Sequence, residues 1–297
     1  MNKFLKVSLV TALALATITP AFALSISPLA STSSTGTTLA NAWLGSSSGL
    51  TVVGPISYVG DNNQAGTYSG FALTSSSSTS PNVSIGDGIV LTTGTANVPN
   101  SNTSSGFGIS TSTGSSSTIS NITGLTTNDT NSISFSFTVE SGITSISSNF
   151  IFGSDEFPEY AGTSFADGFA FVVDGVNFAK FSDGTNVSLA TLSSNANLLN
   201  NNAGIYGIEY DGFTAALGIV GILNSSLTEH TLEIVIADTG DSILDSGVFL
   251  SALSGGNDSG GGGVKPPNPS AVPVPAALPL MATAFGLFGL SKRRKNA

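Results

Sequence analysis

The chain contains no cysteine and a single histidine, His230, so disulfide staples, thiol catalysis and zinc sites built on Cys or several His have no residues to draw on. A Ser-His-Asp triad could use only His230, one residue before a strongly β-like run. Basic residues are almost as scarce. Lys3 and Lys6 lie near the start and Lys292, Arg293, Arg294 and Lys295 near the end, which leaves Lys180 and Lys265 for everything between. All 18 Asp and Glu fall in that middle, where two bases face 18 acids and the formal charge is −16. Nucleic acids and anionic lipid surfaces require a basic footprint, so neither fits this body; cations, neutral glycans and other proteins remain as partners.

Hydroxyl residues and glycine are what the chain has in excess. Its 297 residues include 48 Ser, 32 Thr and 35 Gly, with 40% hydrophobic and only 9% charged. Such residues favour strands and turns over helix interiors, which opposes a helical bundle and points to one large all-β domain or two small ones.

Both ends carry addressing signals. In residues 1–23, Lys3 and Lys6 precede an apolar run from Val7 to Ile18, and Ala21-Phe22-Ala23 supplies a small-residue cleavage motif. This predicts an N-terminal signal helix cut after Ala23; the alternative is a buried N-terminal helix. Residues 24–37 are expected as a linker, 38–253 as the folded domain and 254–271 as a second linker containing Gly260 to Gly263 and three prolines. In 272–297, Pro273-Val274-Pro275 leads into an apolar stretch ending near Leu290, and Lys292-Arg293-Arg294-Lys295 follows. Ala276 to Leu290 would form a helix about 22 Å long against a hydrocarbon core of about 30 Å, marginal as a permanent span.

This tail resembles the PEP-CTERM sorting signal, with Val274 where the common form has Glu. The resemblance implies recognition by an exosortase-type sorting enzyme, transient inner-membrane contact through the C-terminal hydrophobic helix, and a Gram-negative host. An ordinary C-terminal membrane anchor is the alternative. Either places the body outside the cytoplasm.

Between the signals the hydrophobic period is two. Ile133, Phe135 and Phe137 alternate with hydroxyl residues, Ile146, Phe150 and Phe152 mark a second strand, and Phe169 and Phe171 lead into Asp174-Gly175, a hairpin-type turn. Leu232, Ile234 and Ile236 form another alternating run, and Val248 with Leu250 begins a last strand. The pattern predicts an antiparallel β-sandwich, jelly-roll-like, with these side chains in the core and Trp43 packed beside Leu39 and Leu44. Thr74 to Ser80 and Ser101 to Ser120 are expected as long Ser/Thr-rich surface loops with little to bury.

Thirteen of the 18 carboxylates fall between Asp155 and Asp245, with Lys180 as the only base nearby. One group is Asp155, Glu156 and Glu159 followed by Asp167; the other is Asp238, Asp241 and Asp245. Two carboxylates about 4 Å apart repel by roughly 4 kcal/mol at an effective dielectric near 20, and a bound cation relieves that. Oxygen ligands at short intervals around Gly240 suit Ca²⁺, although the spacing is not that of an EF-hand loop. The alternatives are a solvated acidic loop in which Asp side chains cap turns, and a catalytic carboxylate pair of the glycosidase type.

Several motifs together resemble the choice-of-anchor L domain: Leu39-Ala40-Asn41-Ala42, Gly88 to Gly94, Asn128-Asp129, Phe152 to Tyr160, Asp167 through Gly175, Glu209 to Thr214 and Ile236 to Leu250. The resemblance spans roughly residues 38 to 253 and implies a bacterial surface protein with an interchangeable C-terminal anchor and no established activity. Its acidic motifs are those singled out by charge. The expectation is an exported, non-enzymatic cell-surface or extracellular-matrix protein, associated with exopolysaccharide, biofilm or other surface proteins and stabilised by Ca²⁺. A Ca²⁺-dependent carbohydrate-binding adhesin module and a carbohydrate-active hydrolase are the alternatives.

Overall fold

A computed structural model describes residues 24–258 apart from 30–33, 46, 182 and 195–197. The signal segment with Ala23, most of the second linker, and the sorting residues Pro273, Val274, Pro275, Lys292, Arg293, Arg294 and Lys295 lie outside the described residues. Among the described residues the secondary structure is mostly antiparallel strand, with two short α-helices. In order, the elements are β1 (Ser25–Pro28), α1 (Thr35–Leu44), β2 (Leu50–Val59), β3 (Ala65–Ser69), β4 (Ala72–Leu73), β5 (Val83–Ser84), β6 (Gly88–Thr92), α2 (Ser117–Thr123) and β7 (Thr127–Val139). There follow β8 (Ser145–Ser154), β9 (Gly168–Val173), β10 (Val176–Asn177), β11 (Leu198–Asn200), β12 (Gly212–Thr214), β13 (Leu217–Ile222), β14 (His230–Thr239), β15 (Ser246–Ser251) and β16 (Ser254–Gly256).

Two antiparallel sheets form a β-sandwich. One has the order β10-β9-β14-β7-β2; the other runs β1-β3-β6-β15-β8-β12-β11, with β13 and β16 also on β8. The period-two pattern explains the pairing. Ile133, Phe135 and Phe137 on β7 face Ile234, Leu232 and His230 on β14, while Phe169 and Phe171 on β9 face Ile236 and Ile234. These apolar side chains are buried in one cluster with Ile146, Phe150 and Phe152 from the other sheet. Trp43 joins it, edge-on to Phe171 at 6.0 Å, and its indole N–H donates to the Ser251 carbonyl at 2.8 Å. Asp174 and Gly175 both have positive φ, 49° and 82°, as the tight β9–β10 turn requires.

Four features depart from the sequence expectation. Ser25–Pro28 is not linker but an edge strand on β3; its side chains are mostly exposed, so it carries no apolar alternation. Thr35–Leu44 is a helix, with Leu39, Ala40, Trp43 and Leu44 on its buried side, a stripe too short to declare a helical period. Ser117–Thr123 is a helix within the supposed loop region, capped by the Ser116 hydroxyl, which accepts from Ile119 N at 3.2 Å. It buries Ile119 against Ala170, Val235 and Ala237 on the outer face of the five-stranded sheet. Finally, Ser254–Gly256 extends the sandwich by pairing with β8.

One-faced alternation also underestimates the core. The outer face of the larger sheet is covered by irregular chain, and a second cluster gathers Tyr68, Phe71, Tyr206, Tyr210, Phe213 and Phe249 there. That is why β6 and β15 are buried on both faces.

Candidate functional site

The antiparallel register carries the acidic motifs to one end of the sandwich. Asp155 and Glu156 follow the last residue of β8, Asp167 precedes β9, Asp238 lies near the end of β14, and Asp245 precedes β15. Ser246 pairs with Ser154 and Ala237 with Gly168, and Asp155 N donates to the Asp245 carbonyl at 3.1 Å. A β-bulge between Ile236 and Asp238 re-aims the end of β14. Asp155, Glu156, Asp167, Asp238 and Asp245 are each exposed by 2% or less. Glu159 and Asp241 are not buried with them; together with Asp155 and Glu156 they line a surface cavity of about 310 Å³.

The Ser/Thr/Gly-rich stretch after Asn102 binds this end together through its backbone. Thr103 N and Ser104 N donate to the Glu209 carboxylate at 3.0 and 2.9 Å, Phe107 N to Asp155 Oδ2 at 2.5 Å, and Ile109 N to Asp245 Oδ1 at 3.0 Å. Thr111 N and Ser112 N donate to the two Asp129 oxygens at 2.9 and 2.6 Å. Small residues let the chain come this close: a Cβ on Gly108 would stand 1.7 Å from the Ile243 carbonyl oxygen. Replacing Ile109 by proline deletes one charge-assisted hydrogen bond while removing only an exposed side chain. Ile109→Pro is expected to cost about 1.5–3 kcal/mol and lower the melting temperature by roughly 4–10 °C, with Ile109→Ala close to wild type. Equal effects from both would mean that the side chain, not the N–H, matters.

Tyr210 reaches the middle of the acids. Its ring lies across the paired glycines Gly153 and Gly247, where an added Cβ would stand 2.6 Å from Cδ2 and 2.2 Å from the hydroxyl, so neither position admits a side chain without moving the ring. Asn201 holds the loop that carries Glu209, Tyr210 and Asp211: its amide donates to the Ile208 and Tyr210 carbonyls at 2.8 and 3.1 Å, and its oxygen accepts from Tyr206 N at 2.8 Å. Behind the node, Gln64 and Asn131 amides bind the carbonyls of Thr93 and Thr92 at 2.7 and 3.1 Å.

Burial dominates the electrostatics. It pushes Asp155 up to about 7, against the Phe107 N–H, with Asp211 and Glu209 adding to the rise. It likewise pushes Asp245 up to about 7, against the Ile109 N–H, with Asp129 adding to it. Burial raises Glu156 and Asp238 too, each then raised further by Asp167, and raises Asp167 despite hydrogen bonds that favour its charged form. The Tyr210 hydroxyl is raised by burial and by Asp245, Asp155, Asp167 and Asp238. No base offsets this. Among the described residues the bases are Lys180, which donates to Asn186, and His230, bonded to Asp174 at 2.8 Å at the opposite end of the sandwich.

No well-formed hydrogen bond reaches Asp155 Oδ1, Asp167 Oδ2, either oxygen of Asp238, Asp245 Oδ2, Tyr210 Oη or Ser246 Oγ, although the Ser246 and Asp238 side chains lie close to Asp167 and the Thr93 hydroxyl close to Asp238. An all-oxygen donor set of carboxylates and hydroxyls is the chemistry of a hard cation such as Ca²⁺. Among the described residues, no group of three or more Asp, Glu or His side chains is gathered as an assembled metal centre.

Of the seven carboxylates singled out in the sequence, then, Asp155, Glu156, Asp167, Asp238 and Asp245 meet inside the fold, while Glu159 and Asp241 line the cavity at its surface. Sequence reasoning by charge density passed over Asp129, Glu209, Tyr210 and Asp211, although all four stand in the motifs Asn128-Asp129 and Glu209 to Thr214.

The fold and the site define a disulfide-free β-sandwich with an acidic node buried at one end. The model of the choice-of-anchor L domain matches residues 27–255, and the chain belongs to that family. Membership makes it an exported, surface-associated protein of a non-catalytic family. No curated protein and no solved structure shows significant similarity to it.

Proposed function

We propose that the protein is a non-enzymatic component of the cell surface or extracellular matrix of a Gram-negative bacterium, delivered through a PEP-CTERM-type tail by an exosortase and stabilised by at least one Ca²⁺ in the acidic node. The observation that carries the Ca²⁺ reading is the set of buried carboxylate and hydroxyl oxygens around Asp167, Asp238 and Asp245 that no well-formed hydrogen bond reaches. The tail motif supports the route of delivery. A sandwich without disulfides gains from such an ion through relief of repulsion and through tethering of the 102–112 segment to β8, β15 and the 209–211 loop.

The test is thermal unfolding of the purified chain after EGTA treatment, with and without about 1 mM Ca²⁺. A site with a dissociation constant near 10⁻⁴ M adds about 1.4 kcal/mol, or roughly 3–6 °C. Identical melting curves would overturn the Ca²⁺ reading. A second reading, a glycan-binding adhesin module, is favoured by the aromatic side chains Tyr160 and Phe165 exposed in the acidic cavity. A hydrolase has less support, because the carboxylates that come together are buried.

A further inference from the structure

We infer that residues 102–112 form a latch over the acidic node, closed by the bound cation and lifted for the ion to enter or leave. The inference rests on the Ca²⁺ reading and adds its regulation. Asp155, Glu156, Asp167, Asp238 and Asp245 are each exposed by 2% or less, so an ion among them has no open path to water. Tyr210, itself fully buried, ends among these acids with a hydroxyl that takes no hydrogen bond and on which the charges of Asp245, Asp155, Asp167 and Asp238 act. A route to the node needs a part of its enclosure that can move.

The 102–112 segment is built to do so. It carries no helix or strand, and the side chains of Thr103, Ser104, Ser105, Ile109, Ser110 and Ser112 are exposed. Phe107 packs edge-on to Tyr210 at 6.3 Å. Otherwise the segment hangs on six N–H groups, from Thr103 to Ser112, that donate to the carboxylates of Glu209, Asp155, Asp245 and Asp129. Two of these carboxylates belong to the latch and to the node at once. Asp155 gives Oδ2 to Phe107 N and Asp245 gives Oδ1 to Ile109 N, while Asp155 Oδ1 and Asp245 Oδ2 are buried with no well-formed hydrogen bond, the N–H groups of Asp211 and Thr95 lying near the two side chains. A cation drawn to the node keeps both carboxylates charged and in place, and a charged acceptor makes a hydrogen bond roughly twice as strong as a neutral one. Without it the acids repel one another, and the side chains that lose the ion are those that hold the segment. Ion and latch thus strengthen each other, by the same factor in both directions.

The experiment is chymotrypsin cleavage of the purified full chain at about pH 8, above the value of about 7 to which burial pushes Asp155 and Asp245, in EGTA and in about 1 mM Ca²⁺. Fragments are identified by mass. A cut after Phe107 requires the segment to leave the surface and enter the protease, whereas Leu227, 45% exposed in the loop before β14 at the opposite end of the sandwich, serves as the reference. The ratio of cuts after Phe107 to cuts after Leu227 should fall at least about tenfold in Ca²⁺, and taking the ratio cancels any effect of the ion on the protease. In calorimetric titration with Ca²⁺, Ile109→Pro, which lacks the donor to Asp245, should bind the ion about fivefold or more weakly than wild type. Wild-type melting unchanged by Ca²⁺ would overturn the Ca²⁺ reading and the latch together. A rise in melting temperature with an unchanged cleavage ratio would overturn the latch and leave the Ca²⁺ reading standing. Wild-type Ca²⁺ affinity in Ile109→Pro would also overturn the latch, because the link through Asp245 would then carry no coupling.

Discussion

Asp238→Asn is expected to raise the melting temperature of the Ca²⁺-free protein at pH 8 and to remove most of its response to Ca²⁺. Asp238 is 1% exposed, no base or backbone N–H reaches its oxygens, and the side chains near it are those of Thr93 and Asp167. Ionising it without a cation places an uncompensated charge in the interior, a loss of about 3–5 kcal/mol in comparable cases. Asparagine keeps the shape, removes the charge and lets an amide donate to Asp167. The apo variant should therefore gain roughly 2–4 kcal/mol, or about 4–16 °C, while the increment from about 1 mM Ca²⁺ falls to a small fraction of the wild-type value. The opposite sign, a variant less stable than wild type in EGTA, would make Asp238 a hydrogen-bonding structural group and not a ligand. Asp241→Asn, which changes an acid outside the buried set, should leave both melting temperatures nearly unchanged.

How much of this could be foreseen differs between core and site. Ile133, Phe135 and Phe137 show their buried face because a strand with one solvated side must alternate, and the Asp174-Gly175 turn shows itself because two successive positive φ values need such residues. Where a strand is buried on both faces, as β15 is, the alternation vanishes and a continuous apolar run remains. Edge strand β1 fails for the converse reason: three of its four side chains are exposed. In the site, charge density reveals carboxylates that lack bases, which is how Asp155 and Asp238 stand out. It is blind to what holds them. The donors from Thr103 to Ser112 are backbone N–H groups, which every residue but proline carries. A Ser/Thr/Gly stretch that looks empty of structure is therefore the one that wraps four acidic side chains. Tyr210 escapes notice because its importance lies in where Gly153 and Gly247 let it rest.

The topology also places the site relative to the C-terminal end of the described residues. β8 runs from Ser145 to Ser154, about 30 Å of extended chain, and the acidic node stands at its far end. β16 pairs with its near end, matching Gly256 to Ser145, and Asp258 N donates to the Ser145 hydroxyl at 3.1 Å. The described chain thus leaves the sandwich opposite the node and the cavity.

In EGTA the stability of the domain is expected to fall as pH rises from about 4 to 8, and in saturating Ca²⁺ this fall should largely disappear. Asp155 and Asp245 titrate near 3.8 when unfolded and near 7 when folded, so between those values the folded state holds more protons than the unfolded one. Stability then decreases with rising pH across that window; the share from Asp155 and Asp245 levels off above about 7, while Glu156, pushed up to about 10, keeps lowering it beyond that. For one carboxylate the full change is about 4 kcal/mol, a large share of the 5–15 kcal/mol of a typical domain, and Asp167, Asp238 and Glu156 are shifted in the same direction. Asp174 works the other way: it loses its stabilising effect only as pH falls below the ordinary carboxylate range, so the optimum without Ca²⁺ lies near pH 4 to 5. A cation replaces the protons at high pH and competes poorly with them at low pH, which makes the Ca²⁺ increment small at pH 5 and large at pH 8. Melting temperatures at half-unit pH steps, with EGTA and with Ca²⁺, measure both curves. If the two run parallel, protons and Ca²⁺ do not share a site; if the EGTA curve rises towards pH 8, the buried carboxylates are not held protonated in the apo fold.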